Sequence, residues 1–154
     1  MKRIAGKSHC AVNFTLEAIG DPWSLLIIRD IVFNGKHTFN EFLASEEHIA
    51  TNILAQRLVQ LEKNGIVIRR PNPTDKRKGF YGLTDKGLDL LPVLLQLVIW
   101  GAKHDPETAA NMEFGRRYFE NPEEIFNLVF DTVKSGGAVF AGEDSVIEKL
   151  GIVA

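Results

Sequence analysis

The feature that most constrains the fold is the order of elements between residues 23 and 87, where three helical segments precede a basic hairpin. Apolar residues fill the first segment on most sides, which predicts a central helix over residues 22–33. The second segment predicts a short polar helix over residues 39–44. The third, over residues 50–62, repeats leucine at helical spacing and ends at the stop signal Asn64-Gly65.

The hairpin pattern follows directly. Its strands are predicted over residues 66–70 and 79–83, and the prolines of residues 71–75 favour a turn because they cannot donate to a strand ladder. Three adjacent cations, Lys76-Arg77-Lys78, stand at the tip. Three helices followed by a basic hairpin are the order of a winged helix, which sets one helix in a DNA groove and lays a cationic loop along the phosphates. The predicted fold class is mainly α with a small β-hairpin: a winged helix-turn-helix domain with a C-terminal helical extension.

Charge is distributed unevenly along the chain, although the formal net charge is only −2. Residues 49–83 carry seven basic and two acidic side chains, a net charge of +5. Residues 105–154 carry four basic and ten acidic side chains, a net charge of −6. A basic face on an acidic body is typical of a DNA-binding protein, and chance clustering on a solvated loop is the alternative.

The helix over residues 50–62 has two faces when its residues are placed at ~100° intervals. Leucines form one face, and Asn52, Gln56, Val59 and Lys63 lie opposite. Amide side chains can pair with adenine, and small apolar groups suit a thymine methyl. A plain amphipathic helix has the same pattern, so it is the basic hairpin that favours DNA. The residues predicted to read base edges are Thr51, Asn52 and Gln56; those predicted to hold phosphates are Lys63, Arg69, Arg70, Lys76, Arg77 and Lys78.

The C-terminal part of the chain is predicted to be helical. One long apolar helix is expected over residues 84–104, kinked or broken at Pro92, and its surplus apolar surface suggests a subunit interface. Further helices are predicted over residues 107–118 and 122–133, whereas the tail is left unassigned. The predicted domains are a winged helix-turn-helix domain with the dimerisation helix over residues 9–104, and an acidic helical extension over residues 105–154.

Several classes of protein are disfavoured. No apolar stretch approaches ~18 residues, and the basic start of the chain, Met1–Lys7, lacks an apolar signal core, so a cytoplasmic protein without a membrane partner is expected. The histidines show no metal-ligand spacing, and the chain has neither a glycine-rich phosphate loop nor a serine elbow. We therefore expect no metal, no cofactor and no enzymatic activity. Arg57, at the edge of the leucine face, is expected either to pair with an acid of a neighbouring helix or to reach a phosphate.

Cys10 is a candidate redox sensor. Lys7 and His9 are near it in sequence, and positive neighbours favour the reactive thiolate. Because the chain has one cysteine, any disulfide must join two chains, and the other outcome of oxidation is a small adduct. The alternative is a buried structural cysteine, a common use of this residue.

These residues resemble the HxlR-type helix-turn-helix regulators from about His9 to Gly101. The resemblance rests on Cys10 before the first helix and on an ordered set of blocks, which are residues 19–30, 33–35, 39–42, 53–65, 81–87 and 100–101. It implies a dimeric bacterial or archaeal transcription factor whose first and last helices form the dimer contacts. In some similar regulators the cysteine at the place of Cys10 senses oxidants or electrophiles.

Three features depart from that family. Ala50 stands where a serine usually begins the recognition helix, so the cap is expected to fall to Thr51 or to be weak. The wing over residues 73–79 looks more like that of MarR-type regulators. The acidic extension is longer than the usual family ending, and it is either additional dimer surface or a ligand module.

The predicted function is that of a dimeric, repressor-like, sequence-specific regulator of transcription that responds to a redox signal, an electrophile or a small ligand. Its predicted partners are double-stranded DNA, a second copy of the chain, and a small-molecule or oxidant effector. Each subunit is expected to read one half-site, with the half-site centres roughly 34–36 Å apart. The alternative is a winged-helix module for protein contacts without DNA, which would lack salt-dependent DNA binding.

Overall fold

The computed structural model describes residues 8–153 and is mostly helical, as the sequence predicts. The helices of this part of the chain are α1 (Ala11–Ile19), α2 (Pro22–Asn34), α3 (Phe39–Leu43), α4 (Thr51–Lys63), α5 (Asp85–Leu88), α6 (Leu91–His104), α7 (Met112–Glu120), α8 (Pro122–Lys134) and α9 (Val146–Lys149). The strands are β1 (Val67–Pro71) and β2 (Gly79–Leu83). The basic start of the chain, with Lys7, lies outside the described residues.

The described chain divides into two compact units. Residues 8–31 and 36–87 form the first unit, and residues 32–35 and 88–153 form the second. The functional division into residues 9–104 and 105–154 stays a prediction.

The core of the first unit forms around α2. Asp21 accepts a hydrogen bond from the amide of Ser24 at 2.9 Å and so satisfies an otherwise free N–H group at the start of this helix. The apolar residues that follow are buried as expected. The buried apolar side chains of α2, α3 and α4 within this unit are Ile27, Ile28, Ile31, Phe42, Leu54, Leu58 and Leu61.

The hairpin begins where α4 is forced to stop. Gly65 has a φ of +69°, a conformation that favours glycine, and its N–H donates to the carbonyl of Glu62 at 3.0 Å. The antiparallel strands then pair from Val67 opposite Leu83 to Pro71 opposite Gly79. β1 therefore runs one residue later than the predicted strand and ends on a proline, where a missing ladder donor is tolerated.

The predicted helix over residues 84–104 is in fact two helices, α5 and α6. Pro92 stands at the start of α6, where a proline's missing N–H is harmless because the first turn has no intrahelical acceptor. The predicted helix over residues 107–118 begins later, at Met112. Asn111 sets this start, since its side chain accepts a hydrogen bond from the amide of Phe114 at 2.8 Å.

The tail that the sequence left unassigned folds back within the second unit. The amides of Val139 and Phe140 donate to the carbonyls of Val32 and Phe33, both at 2.9 Å. The ring of Phe140 stacks on Phe33 at a centroid distance of 5.6 Å and meets Phe114 edge-on at 5.4 Å. The end of α2 therefore belongs to the second unit because the tail pairs with it.

Candidate nucleic-acid interface

The helix-turn-helix consists of α3, a seven-residue connection over residues 44–50, and α4. A capping box begins α3: Thr38 accepts from the amide of Glu41 at 3.4 Å, and Glu41 accepts from the amide of Thr38 at 2.8 Å. Partial burial would raise the pKa of Glu41, but the amides of His37 and Thr38 donate to its carboxylate and lower the pKa below its ordinary value. The entry to the helix-turn-helix is thus held by charge-assisted hydrogen bonds.

The connection between α3 and α4 is tied to α2 by a buried carboxylate. Asp30 is 2% exposed, and it accepts a hydrogen bond from the hydroxyl of Ser45. Lys36 donates to the same hydroxyl at 2.7 Å, and its Nζ lies 3.5 Å from Asp30 Oδ2. The Arg29 guanidinium adds a bond of 2.8 Å to Asp30 Oδ1. Sequence reasoning missed this cluster, which joins the start of the connection to α2.

Arg29 also reaches the middle of the same connection, at Glu47. Its Nη2 donates to Glu47 Oε2 at 3.0 Å, and its Nη1 pairs with Glu47 Oε1, so the guanidinium grips this carboxylate with two bonds. The hydrogen bond from Arg29 lowers the pKa of Glu47 to about 2. Glu47 therefore stays ionised at neutral pH.

The two faces predicted for α4 are present. Leu54, Leu58 and Leu61 are buried. The predicted base-reading residues, Thr51, Asn52 and Gln56, are exposed, as is Lys63 in the last turn. A further amide, Gln60, donates to Asn64 Oδ1 at 3.1 Å, which commits it to the end of its own helix.

The first turn of α4 lacks a side-chain cap. Ala50 is the N-cap residue, with the extended backbone that this position requires, and its carbonyl accepts from Leu54 at 2.9 Å. Among the described residues, no side chain accepts from the first amides of this helix. The expected weak cap is thus found. Those N–H groups lie at the N-terminus of the helix, which is the positive end of its dipole and favours anions.

The base of the hairpin is joined to the end of α4. The amide of Ile66 donates to the Leu61 carbonyl at 2.9 Å, and the carbonyl of Ile66 accepts from the amide of Thr84 at 3.0 Å. Lys86 donates to the carbonyl of Asn64 at 2.7 Å and so supports the same junction. The strands therefore start from a fixed point beside Lys63.

Two of the predicted phosphate-binding residues, Arg69 and Arg70, lie exposed on β1. Arg69 lies across the neighbouring strand, since a Cβ atom built on Gly79 would come within 2.3 Å of its Nε. Glycine at this position thus leaves room for the guanidinium.

The tip of the hairpin is ordered by an acidic residue. Asp75 accepts from the amide of Arg77 at 3.1 Å, and its carboxylate lies 3.2 Å from Arg77 Nε and 3.9 Å from Lys78 Nζ. The hydrogen bond from the Arg77 side chain lowers the pKa of Asp75. Within residues 8–153, Lys76 makes no such ion pair and is exposed. Of the three tip cations predicted from sequence, Lys76 is therefore more available to an external anion than Arg77 and Lys78, which lie beside Asp75.

His37 holds the second strand from outside the hairpin. Its carbonyl accepts from the amide of Tyr81 at 2.7 Å, and its Nδ1 lies 2.8 Å from the carbonyl oxygen of the same residue. Because a carbonyl can only accept, Nδ1 carries the proton. The imidazole also stacks on Phe80 at a centroid distance of 4.4 Å. Sequence reasoning missed this role, and no local signal could have found a partner 44 residues away.

Two further residues discussed from sequence have clear positions. Arg57 Nε lies 3.2 Å from Asp21 Oδ1, although the N–H does not point well enough at this oxygen for a hydrogen bond. This ion pair joins α4 to the start of α2. Cys10 is exposed and is the N-cap residue of α1, so the burial expected of a structural cysteine is not found.

The described residues contain no group of three or more histidine, cysteine, aspartate or glutamate side chains that could hold a metal ion. Across the same part of the chain, every helix is too short or too polar to cross a lipid bilayer.

Comparisons with known proteins agree with this geometry. Residues 18–109 match the model of the HxlR-like helix-turn-helix family. The HTH-type transcriptional regulator YybR of Bacillus subtilis is 37% identical over 95 residues, which are 62% of this chain and 75% of YybR. The regulator Rv3095 of Mycobacterium tuberculosis is 35% identical over 68% of this chain and 63% of its own length.

Solved structures show the same relationship. The redox regulator HypR in its oxidised form matches with a TM-score of 0.56 and 35% identity, over 62% of this chain and 97% of HypR. The reduced form of the transcriptional regulator YodB from B. subtilis matches with a TM-score of 0.52 and 29% identity, over 66% of this chain and 99% of YodB. The winged-helix fold predicted from sequence is thereby confirmed. The chain belongs to the HxlR-like helix-turn-helix family of DNA-binding transcriptional regulators, which are not enzymes.

Proposed function

We propose that this protein is a homodimeric, repressor-like regulator that recognises a specific DNA sequence in the cytoplasm. One observation carries the proposal: α4 exposes Thr51, Asn52 and Gln56 on the side opposite its buried leucines, and its end is joined to a hairpin that carries exposed cations. In the proposed complex the exposed face of α4 lies in the major groove. The hairpin and Lys63 then hold the phosphates on either side.

The roles within this surface follow from the side chains. Asn52 and Gln56 can each make a bidentate contact with adenine, and the hydroxyl of Thr51 can contact most bases. Lys63, Arg69, Arg70, Lys76, Arg77 and Lys78 neutralise phosphates without regard to sequence. Lys76 contributes most at the tip, because Asp75 draws Arg77 and Lys78 toward itself.

The test begins with selection of bound fragments from genomic DNA, followed by fluorescence anisotropy on the selected duplex and on a scrambled one. Gln56→Ala should reduce the ratio of the two affinities by about 5- to 100-fold, the size of one good base contact. Gln60→Ala is the matched control, because this amide already bonds to Asn64 and should leave the ratio unchanged. A ratio that Gln56→Ala leaves intact would contradict the assigned role.

Lys76→Ala tests the phosphate contacts in the same assay. This variant should lower the affinity for both duplexes by the same factor. It should also reduce the steepness of log affinity against log salt concentration by about 0.9, which corresponds to the loss of one phosphate contact. If the wild-type protein shows no salt-dependent DNA binding, the alternative of a winged helix for protein contacts replaces the DNA proposal.

We further propose that Cys10 makes the regulator responsive to oxidants. The thiol is exposed at the N-terminus of α1, where the helix dipole favours negative charge. The similar protein HypR is a redox regulator. An oxidant such as diamide would take two electrons and two protons from two Cys10 thiols and leave one disulfide between two chains.

Diamide treatment followed by non-reducing electrophoresis tests this response. A covalent dimer should form with the wild-type protein and not with Cys10→Ser, and the DNA affinity should change only in the wild type. Unchanged DNA affinity after complete oxidation would refute the redox role.

The proposed dimer uses apolar stripes on two helices. On α1, Val12 and Leu16 are exposed one helical turn apart. On α6, Val93, Leu97 and Trp100 are exposed at spacings of four and three residues, which places them on one face. Leu91, Leu94 and Leu95, which were expected to add to a surplus apolar surface on the helix over residues 84–104, are buried, so other side chains of α6 form this stripe. Exposed apolar stripes of this kind suit a symmetric interface.

A further inference from the structure

A large cavity lies within the second unit, between α6 and α7. Its volume is about 710 Å³, within the range of about 300–1,000 Å³ typical of small-molecule sites. Val98, Ile99 and Ala102 line it from α6, and Met112, Gly115 and Phe119 line it from α7. Most of it is built by residues beyond 109, outside the part of the chain that matches the family model.

Large apolar side chains at this cavity are in contact with water. Met112 is 70% exposed and Phe119 is 67% exposed. Removing such surface from water is favourable by about 25 cal/mol per Å². The cavity is therefore matched to an occupant with an apolar body.

The charged groups at the cavity are cationic. Lys103 and Arg116 line it, and its described lining contains no aspartate or glutamate. Of these two cations, Arg116 belongs to the segment over residues 105–154, which has a net charge of −6, and Lys103 lies just before it. Arg116 is already paired with Glu113 and Glu120. Among residues 8–153 no carboxylate lies within ion-pairing distance of Lys103, which is exposed, so its ammonium group can pair with an anion in the cavity.

The position of the cavity on α6 distinguishes it from the apolar stripe proposed for the dimer. At ~100° per residue, Ala102 lies about 180° around the helix from Val93. A second copy docked on Val93, Leu97 and Trp100 would thus leave the cavity side of α6 accessible.

We propose that this cavity binds a small amphipathic anion, with an aromatic or aliphatic body on the apolar wall and its acidic group at Lys103. This assigns the acidic extension the role of a ligand module. The inference does not depend on the DNA-binding proposal, because binding is measured without DNA.

The probe for the test is 8-anilinonaphthalene-1-sulfonate, and its neutral counterpart is N-phenyl-1-naphthylamine, which has the same rings without the sulfonate. Fluorescence titration of the full chain should give saturable binding of one sulfonate probe per chain. Decanoate, an aliphatic anion, should displace it competitively.

Gly115→Leu tests the location. A Cβ atom at Gly115 meets nothing within 4 Å, and leucine favours a helix more than glycine does, so this variant should fold. The leucine side chain extends from the cavity wall into the space of the probe and should weaken binding of the sulfonate probe by at least about tenfold. Asn127→Leu adds the same side chain at an exposed position of α8 outside the cavity lining and should leave binding unchanged.

Lys103→Met tests the charge. This change keeps most of the aliphatic stem of the side chain. It should lower the affinity for the sulfonate probe about fivefold, the effect expected from losing a partly exposed ion pair, and should leave the affinity for the neutral probe unchanged. Circular dichroism of each variant confirms that the helices are intact.

Three results would show that the cavity is not a ligand site, and a fourth would show that its ligand is not an anion. The first is the absence of saturable binding to the wild-type protein, and the second is equal binding by Gly115→Leu, which would place the probe elsewhere. The third is probe affinity that falls as the protein concentration rises into the range of self-association, which would show that a second copy fills the cavity. An equal effect of Lys103→Met on both probes would reject the anionic character of the ligand.

Discussion

At the residue scale, one carboxylate organises the approach to α4. Asp30 is buried and receives hydrogen bonds from Ser45 and Arg29, with Lys36 nearby. Removing one partner of a buried charged cluster is costly, because it leaves the other charges without compensation. The turn before the proposed DNA-reading helix therefore depends on a side chain that does not face the DNA.

The ion pair of Arg29 with Glu47 gives a prediction about pH. The folded-state pKa of Glu47, about 2, is below its ordinary value of 4.5, so the pair stabilises the folded protein above pH 4.5. This stability is lost as the pH falls from 4.5 toward 2. Since both side chains are about one-third exposed, the contribution is expected to be only about 0.5–1 kcal/mol.

Urea unfolding of Glu47→Gln measures this contribution. The variant should be less stable than the wild type by about 0.5–1 kcal/mol at pH 7, and the difference should shrink as the pH falls from 4.5 toward 2, because the Glu47 carboxyl of the unfolded wild-type chain becomes protonated first. Glu46→Gln is the control, because no ion pair joins Glu46 to a cation within the described residues. A difference that is the same at both pH values would show that the pair is not its cause.

At the scale of the elements, α4 begins without a side-chain cap, which a single substitution can supply. Ala50 has the backbone of an N-cap residue and no side-chain acceptor. Ala50→Ser supplies a hydroxyl that can accept from the amide of Asn52 or Ile53, and should raise the free energy of unfolding by about 0.5–2 kcal/mol. Thermal and urea unfolding measure the gain. Ala50→Val, which has no hydroxyl and is as poor an N-cap residue as alanine, is the comparison, and an equal gain from both changes would rule out capping as the reason.

The elements also show where local sequence signals compete. Within residues 84–104 the leucines are helical in spacing, yet the chain breaks between Leu88 and Leu91 and α6 starts afresh with Pro92 in its first turn. The interruption was predicted at Pro92, but it lies at residues 89–90, and Pro92 is part of the first turn of the second helix. The apolar spacing alone could not show that two helices would form, because the same spacing of leucines fits one continuous helix and two shorter helices in succession.

At the scale of the whole molecule, the two units carry different exposed surfaces. The first has the cationic hairpin and α4, and the second has the apolar face of α6 and the cavity. The proposed DNA surface lies on α4 and the hairpin, and the proposed assembly surface lies on α6 together with α1 of the first unit. The two surfaces use different helices, so each can be changed without the other.

Trp100→Ala tests the proposed assembly. The ring is 67% exposed, so its loss should leave the fold intact and raise the dimer dissociation constant at least about tenfold, as expected for an aromatic anchor. Sedimentation velocity over a range of concentrations measures this constant. Phe119→Ala is a matched control, since Phe119 is also 67% exposed but lies on α7. An interface centred on α6 would be contradicted if both variants raised the dimer dissociation constant equally, or if neither variant raised it.

The sequence by itself determined the features that depend on neighbouring residues. The capping box of Thr38 and Glu41, the stop at Asn64-Gly65, the two faces of α4 and the turn chemistry of the hairpin all involve groups within a few positions of one another. Local backbone preferences and helical periodicity are enough to predict them. The exposure of Thr51, Asn52 and Gln56 follows from the same periodicity.

Only the tertiary structure decided which distant groups meet. Asp30 and Ser45 are 15 positions apart, and His37 and Tyr81 are 44 apart, so no local pattern encodes these pairs. The cavity likewise needs α6 and α7 to pack at a distance that leaves space between their apolar side chains. Such contacts depend on how complete elements pack in space, and the residues that make them have no distinguishing neighbours in sequence.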